Sequence, residues 1–532
     1  MKINRTGIIV TVFALLLTQL SAAQTLNEGT FKIGRTLGLI DAFYLDTVDL
    51  DELTESVIID ILRSLDPHST YISAEDVKEM NEPLQGNFEG IGIQFNLLKD
   101  TIIVIEPIGG GPSERVGLRA GDRIISIDGE NVTGIGISTN GVRSRLLGPK
   151  GTKVNVNVFR KGERDILDFT IIRDKIPINS LDASYMIDNE TGYVRLNKFA
   201  VTTEQEFDDA LDTLLKQNMR NIIIDLRGNG GGVMTAATEL ADNFFPTKNL
   251  LVYLMGRKKP REDYKSSGAG PLSLSRVVVL TDEGSASASE IFAGALQDWD
   301  RGVIVGRRTF GKGLVQNGYY LTDGSMIRLS IARYYTPTGR LIQRPYNDGY
   351  EKYVTDFYAR YTTGEMMSAD SVHFPDSLKF TTLINKRTVY GGGGIMPDIF
   401  VPADTTDYSD YYRTLVRNGV LNSFILEYAD KNRKEITSEF KTFDEFKERF
   451  EFSADEIKEF IAEGEKAGVK YNEKQYGKSE KEILKVLKAL VANNIWQTNE
   501  YYRIINEDDE VIAKALEIIS NQETYNSILG YL

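Results

Sequence analysis

The sequence predicts a multidomain α+β protein on three observations: a length beyond one core, a glycine-punctuated β-rich stretch near the amino end, and Lys/Glu-rich helical periodicity at the carboxy end. At 532 residues the chain has room for roughly three or four folded units. Its 41% hydrophobic and 26% charged residues give a globular composition, which excludes disorder throughout.

Lys2 and Arg5 precede an apolar stretch over 7–20, and Ser21-Ala22-Ala23 follow before Gln24. Those are the charged, apolar and small-residue regions of a signal peptide. Residues 1–23 are therefore expected to be removed after Ala23 and the protein to be exported, to a periplasm or cell envelope. The apolar run is short for a bilayer, so membrane association is expected only through an uncleaved amino terminus, if at all. Cysteine is absent from the sequence, which removes disulfides, thiolate nucleophiles and thiolate metal sites. Loss of residues 1–23 takes two basic and no acidic residues, leaving 60 basic against 76 acidic, or −16. With no concentrated basic stripe, that balance argues against nucleic acid as a partner.

Residues 24–84 read as a helical region, with Leu37, Ile40, Tyr44, Val57, Ile58, Ile61, Leu62 and Leu65 at three-to-four spacing. Pro67 breaks it, and Ser73 with Asp76 suits the start of a further helix. Over 85–175 the texture changes to short strands at 91–95, 101–105, 122–127 and 152–159, a module large enough to fold alone. Residues 176–402 alternate: strand 193–196, amphipathic helix 204–217, buried strand 221–226, a glycine run, helix 234–244, strand 276–281 and a helix from Ser287, the order of an α/β layered unit. Glycine then becomes sparse, and periodic stretches at 442–450, 454–466 and 479–493 predict a helical carboxy-terminal domain over 403–532 with solvated charged faces.

Only His68 and His373 are present, so a Ser-His-Asp triad has little material, and zinc is poorly supported. His68 follows a proline in a turn, where capping or packing explains it. A serine enzyme without histidine can use a lysine, once burial brings its pKa from about 10.4 towards about 7 or 8. Three serines, Ser285, Ser287 and Ser289, lie between an apolar strand and a helix, where free N–H groups gather. Ser287-x-x-Glu290 also reads as a capping box, and the residues alone leave the choice among the three open. A lysine occurs in the run from Thr309 to Gln316. If that run is extended, Phe310, Lys312, Leu314 and Gln316 share one face, which would shield the amine and let Gln316 hold it; a surface hairpin with a snorkelling lysine fits the pattern equally well. In Asp225-Leu226-Arg227-Gly228-Asn229-Gly230-Gly231-Gly232, successive glycines let N–H groups converge on an oxyanion. Dinucleotide and P-loop patterns both fail there.

Together the runs GSASASE, TFGKGLVQ, DLRGNGGG, LDPHSTY and GGGIMPDI resemble the carboxy-terminal processing (tail-specific) protease family over roughly residues 41–402. The resemblance implies a crotonase-like ββα serine protease core at 176–402, with Ser287 as nucleophile, Lys312 as general base and Gln316 orienting the lysine. It implies an oxyanion hole from the amides of Ala288 and Gly232, with Gly231. Residues 85–175 resemble a PDZ domain of the permuted bacterial type, inserted before the core. In it Gly90-Ile91-Gly92-Ile93 match the loop that binds a peptide carboxylate. Leu147 stands where many family members carry arginine before a Gly-Pro-x-Gly turn, which puts any coupling through that arginine in doubt. The function implied is an exported serine endopeptidase with a Ser–Lys dyad, acting on protein or peptide substrates with apolar C-termini and needing no metal or cofactor. Homo-oligomer formation is left open. The rival is a non-catalytic PDZ-containing binding or chaperone protein, against which intact Ser287, Lys312 and Gln316 argue.

Overall fold

Strand Asn221–Asp225 carries three successive isoleucines and is buried along its whole length, which requires cover on both faces. It lies inside a six-stranded sheet ordered Leu181–Met186, Thr191–Leu196, Asn221–Asp225, Val277–Thr281, Val303–Gly306, Ile399–Phe400. The first pairing is antiparallel and the rest are parallel. Successive side chains point to opposite faces. Ile222 and Ile224 therefore join the core formed with helices Thr203–Lys216, Met234–Asp242 and Ala288–Asp298, while Ile223 joins Val278, Leu280, Val303 and Val305 on the other face. This computed structural model describes residues 28–404 and 406–531; the expected signal peptide and its cleavage point after Ala23 lie outside the described residues.

Helices Glu510–Ser520 and Gln522–Leu529 cover that second face through Val511, Ile512, Ala515, Ile518, Ile519 and Leu529. Periodicity alone groups them with a domain over 403–532. They instead form the back layer of the core, because an all-apolar strand cannot leave either face in water. The preceding helices, from Asp410–Arg417 to Thr498–Ile505, have a core of their own around Leu415, Ile425, Phe446, Phe460, Ile483 and Leu487.

A second sheet, Thr70–Ile72, Met326–Tyr335, Leu250–Met255, Glu262–Lys265, also pairs strand Leu314–Tyr320 with Met326–Tyr335. The extended run expected over 309–316 becomes a strand only at Leu314, so alternation does not put Phe310 and Lys312 on one face. Phe310 instead packs edge-on to His68 and Tyr353 and under the Arg344 guanidinium.

The β-rich unit hangs from a two-stranded stalk in which Asn87–Gly90 pairs antiparallel with Asp174–Pro177. Its sheet runs Ile93–Leu98, Thr101–Pro107, Arg123–Ile127, Lys153–Phe159, Leu167–Ile172, around a separate core that includes Ile102, Val104, Ile124, Val156 and Ile171. On the amino side of the stalk, helix Ala74–Gln85 starts where the sequence expects, with the Ser73 hydroxyl accepting from the Asp76 N–H at 3.2 Å. Among the described residues no helix is long and apolar enough to cross a membrane.

Candidate active site

The three serines of the 284–290 turn differ in their surroundings. Ser285 is buried and donates to the Leu226 carbonyl at 2.7 Å, and Ser289 is buried and donates to the Asn229 carbonyl at 2.9 Å. Both fasten the turn to the glycine loop, as does the Ala286 N–H to the Asn229 carbonyl at 2.9 Å. Ser287 is partly exposed and lines a cleft of about 630 Å³. Its backbone sits at φ 57°, ψ −113°, a conformation that costs a non-glycine residue about 1–3 kcal/mol and survives only when surroundings impose it. Glu290 does the imposing: its buried carboxylate accepts from the N–H of Ser287 (2.8 Å), Gly311 (2.7 Å) and Lys312 (2.9 Å) and from the Thr309 hydroxyl. Sequence pattern shows Glu290 only as half of a capping box. In the fold it ties the serine turn to the lysine loop, and burial raises its pKa against the pull of those donors.

Lys312 lines the same cleft, and its Nζ donates to Gln316 Oε1 at 2.8 Å. Gln316 Nε2 donates to the His68 carbonyl; a carbonyl accepts only, so that bond fixes the amide with Oε1 towards the amine. Burial pulls the Lys312 pKa below its ordinary value, helped by the positive charge of Arg328 and opposed by Glu290 and Asp66. The 65–71 run supplies the His68 carbonyl because Asp66 clamps it, accepting from the N–H of His68 and Ser69 at 2.8 Å each and from the hydroxyls of Ser69 and Ser330. The His68 ring faces Tyr353, its Nε2 2.9 Å from the Tyr353 hydroxyl, and burial brings its pKa down to about 4. His68 thus acts through its backbone, which side-chain chemistry gives no means of reading from sequence. Tyr334, also unsignalled in the sequence, joins the two halves with its hydroxyl between the Ser287 and Lys312 carbonyls.

Among the glycines, Gly231 has φ +95°, and a Cβ there would lie 2.7 Å from Ser287 Cβ and 2.8 Å from the Ala288 nitrogen. The absent side chain lets the loop touch the start of helix Ala288–Asp298. The Gly231 N–H, expected among the oxyanion donors, instead donates to Asn229 Oδ1 at 2.9 Å, so of the three expected donors Gly232 and Ala288 remain. Ala288 is the first residue of its helix, where N–H groups lack an intrahelical acceptor. Chemically the arrangement offers a hydroxyl on a strained turn, a shielded amine and amide donors around one cleft, the parts needed for acyl transfer.

The residues of the expected peptide-binding loop lie elsewhere. Ile91, Gly92 and Ile93 line a groove of about 360 Å³ with Phe88, Phe95, Leu146 and Leu147. Gly90 ends the stalk strand behind them. Helix Ala74–Gln85 stands between the two sites: Glu79, Glu82 and Pro83 line the groove, and Asn81 and Leu84 line the cleft.

Residues 190–349 match the family model of peptidase family S41, residues 90–171 that of the PDZ domain, and residues 411–497 that of a family of unknown function, DUF8443. Over 324 residues the chain is 34% identical to the carboxy-terminal processing protease CtpA of Bacillus subtilis, covering 61% of this chain and 68% of that protein. Over 305 residues it is 36% identical to the carboxy-terminal-processing protease of Bartonella bacilliformis, covering 56% of this chain and 69% of that one. A solved structure of a photosystem II D1 C-terminal processing protease is 29% identical, with a TM-score of 0.33, covering 58% of this chain and 89% of its own. The chain belongs to the carboxy-terminal processing proteases, and it is a serine-type peptidase that carries a PDZ domain.

Proposed function

We propose that the protein is an exported endopeptidase that cleaves peptide bonds with a Ser287–Lys312 dyad and grips substrates by their carboxy termini. The observation that carries the dyad is the shielded Lys312 amine, oriented by Gln316 in the same cleft as the strained Ser287. Neutral Lys312 takes the Ser287 proton as the oxygen attacks the scissile carbonyl. The resulting oxyanion is held by the Gly232 and Ala288 amides. Lys312 then returns the proton to the leaving amine, and water releases the acyl group by the same base in reverse. Strands Asn221–Asp225 and Val277–Thr281, each leading to a helix whose amino end borders the cleft at Met234 or Ser287, also support a crotonase-like ββα core. Export rests on the signal-peptide pattern, and amino-terminal sequencing of secreted material should begin at Gln24. The test of the dyad serine is substitution: Ser287→Ala is expected to abolish hydrolysis of a peptide substrate, while Ser285→Ala and Ser289→Ala keep measurable turnover. Activity surviving in Ser287→Ala would exclude this nucleophile.

An apolar groove beside the 90–93 loop supports the grip on tails, since backbone amides can hold a terminal carboxylate while the tail's side chains bury against Phe88, Phe95 and Leu147. In the full-length Ser287→Ala protein, a peptide with a free apolar carboxy terminus is expected to bind roughly ten- to a hundredfold more tightly than its amide, the difference made by charge-assisted hydrogen bonds. Calorimetry reads this directly. Equal affinities would remove the carboxylate grip and leave the dyad standing.

A further inference from the structure

We propose that Arg328 makes this peptidase prefer substrates that present a carboxylate close to the cleaved bond; the proposal rests on the cleft being the active site. Two cations, Lys312 and Arg328, line the cleft, and no aspartate or glutamate is among the described lining residues. Lys312 is held by Gln316. The half-buried Arg328 guanidinium has no hydrogen bond or ion pair among the described residues, and loss of hydration is what acts on its pKa, lowering it.

Its position gives that charge a use. Arg328 is in the strand Met326–Tyr335, paired with Thr70 on one side and Gly318 on the other. Met326 and Arg328 alternate with Ile327, so both face the cleft. Gly318 puts no side chain beside the guanidinium, and a Cβ there would lie 2.5 Å from Met326 Sδ. Once Lys312 is neutral, Arg328 is the formal charge left among the described residues of a cleft otherwise lined by uncharged groups, among them Asn81, Leu84, Met234, Ile291, Gln316 and Tyr320. A guanidinium partly withdrawn from water and lacking a partner gains most from a carboxylate, which it can meet through two parallel hydrogen bonds. Lysine could supply the charge but not that fork. Two sources present such a group: an aspartate or glutamate side chain near the scissile bond, or the free terminus of a chain cleaved close to its end.

The test compares kcat/KM of the full-length protein on matched peptides, Glu against Gln at each position flanking the cleaved bond, and free acid against amide at the end. Wild type is expected to favour one acidic member by on the order of tenfold or more, since a bidentate charged contact is made to one member only. Arg328→Gln should bring a Glu/Gln ratio to about one and should remove from an acid/amide ratio the share made in the cleft, leaving the share made by the PDZ groove, and Arg328→Lys should keep part of the cleft's share. Each ratio is internal to one variant, so a general loss of activity cancels. A Glu/Gln ratio that Arg328→Gln removes identifies a side chain as the source, and an acid/amide ratio that Arg328→Gln reduces identifies the terminus. Absence of any acidic preference in wild type, or a preference that Arg328→Gln leaves intact, overturns the proposal. Hydrolysis persisting in Ser287→Ala would instead overturn the reading of the cleft, whichever way the ratios fall.

Discussion

Peptide hydrolysis by Lys312→Ala is expected to fall by about 10²–10⁴-fold, the usual contribution of a positioned general base, while the fold persists. Lys312 does not hold the surrounding loop together through its side chain: the hydrogen bonds to Glu290 come from the backbone N–H groups of Gly311 and Lys312, and those survive the substitution. Lys312→Arg should not restore activity, because a guanidinium stays protonated and cannot accept the serine proton. The sign of the pH dependence follows from the same chemistry. A base must be neutral to work, and burial first, with Arg328 second, lowers the Lys312 pKa from its ordinary value. Activity should therefore rise with pH through an apparent pKa below about 10.4. Arg328→Gln removes one of the lowering influences, so the rise should move to higher pH in that variant for every substrate. A chemical step that runs flat from about pH 6 to about pH 9, or full turnover in Lys312→Ala, would end the lysine-base mechanism.

What the sequence made legible was whatever neighbouring residues along the chain decide. Strand 221–226, helix 234–244 and the turn at Ser287 were readable because apolar runs, glycines and cap residues act within a few positions, and the structure has Asn221–Asp225, Met234–Asp242 and Ala288–Asp298 there. Contacts across hundreds of residues were not. Helices Glu510–Ser520 and Gln522–Leu529 look like any amphipathic pair until the uncovered face of a sheet 200 residues earlier is on hand to receive them. The three serines of the turn are equivalent as residue types, and it takes the folded surroundings, the Leu226 and Asn229 carbonyls that hold buried Ser285 and Ser289 and the exposure and backbone angles of Ser287, to tell them apart. The shielding of Lys312 was expected from alternation and arises instead from a loop pinned by Glu290. Arg328 carries no local signal, since a lone arginine in a strand reads as a solvated face.

Gly232→Ala should damage both stability and turnover, and the reason lies in how closely the 225–232 loop meets its neighbour. Gly232 sits at φ +142°, and a Cβ added there would stand 2.0 Å from the Phe199 carbonyl oxygen and 2.9 Å from its carbon. Both atoms belong to backbone, so no side-chain rotation relieves the overlap. The loop is laced to that same residue, with the Phe199 N–H donating to the Gly231 carbonyl at 2.9 Å and the Val233 N–H donating to the Phe199 carbonyl at 2.8 Å. Alanine must break or stretch this lacing, at a cost of about 1–3 kcal/mol by analogy with overpacked interiors. The same displacement carries the Gly232 amide away from the position proposed for the oxyanion, where loss of one donor lowers kcat by about 10²–10³-fold. Gly230→Ala is the control on the same loop: its φ is not positive and a Cβ there meets nothing within 4 Å. Its stability should hold or rise by about 0.4–1 kcal/mol as the unfolded chain loses freedom. Thermal or denaturant unfolding of the two variants beside wild type reads the first effect, and kcat on one peptide reads the second. A Gly232→Ala protein as stable as Gly230→Ala and as active as wild type would show that the loop tolerates a side chain against Phe199 and that the Gly232 amide does not hold the oxyanion.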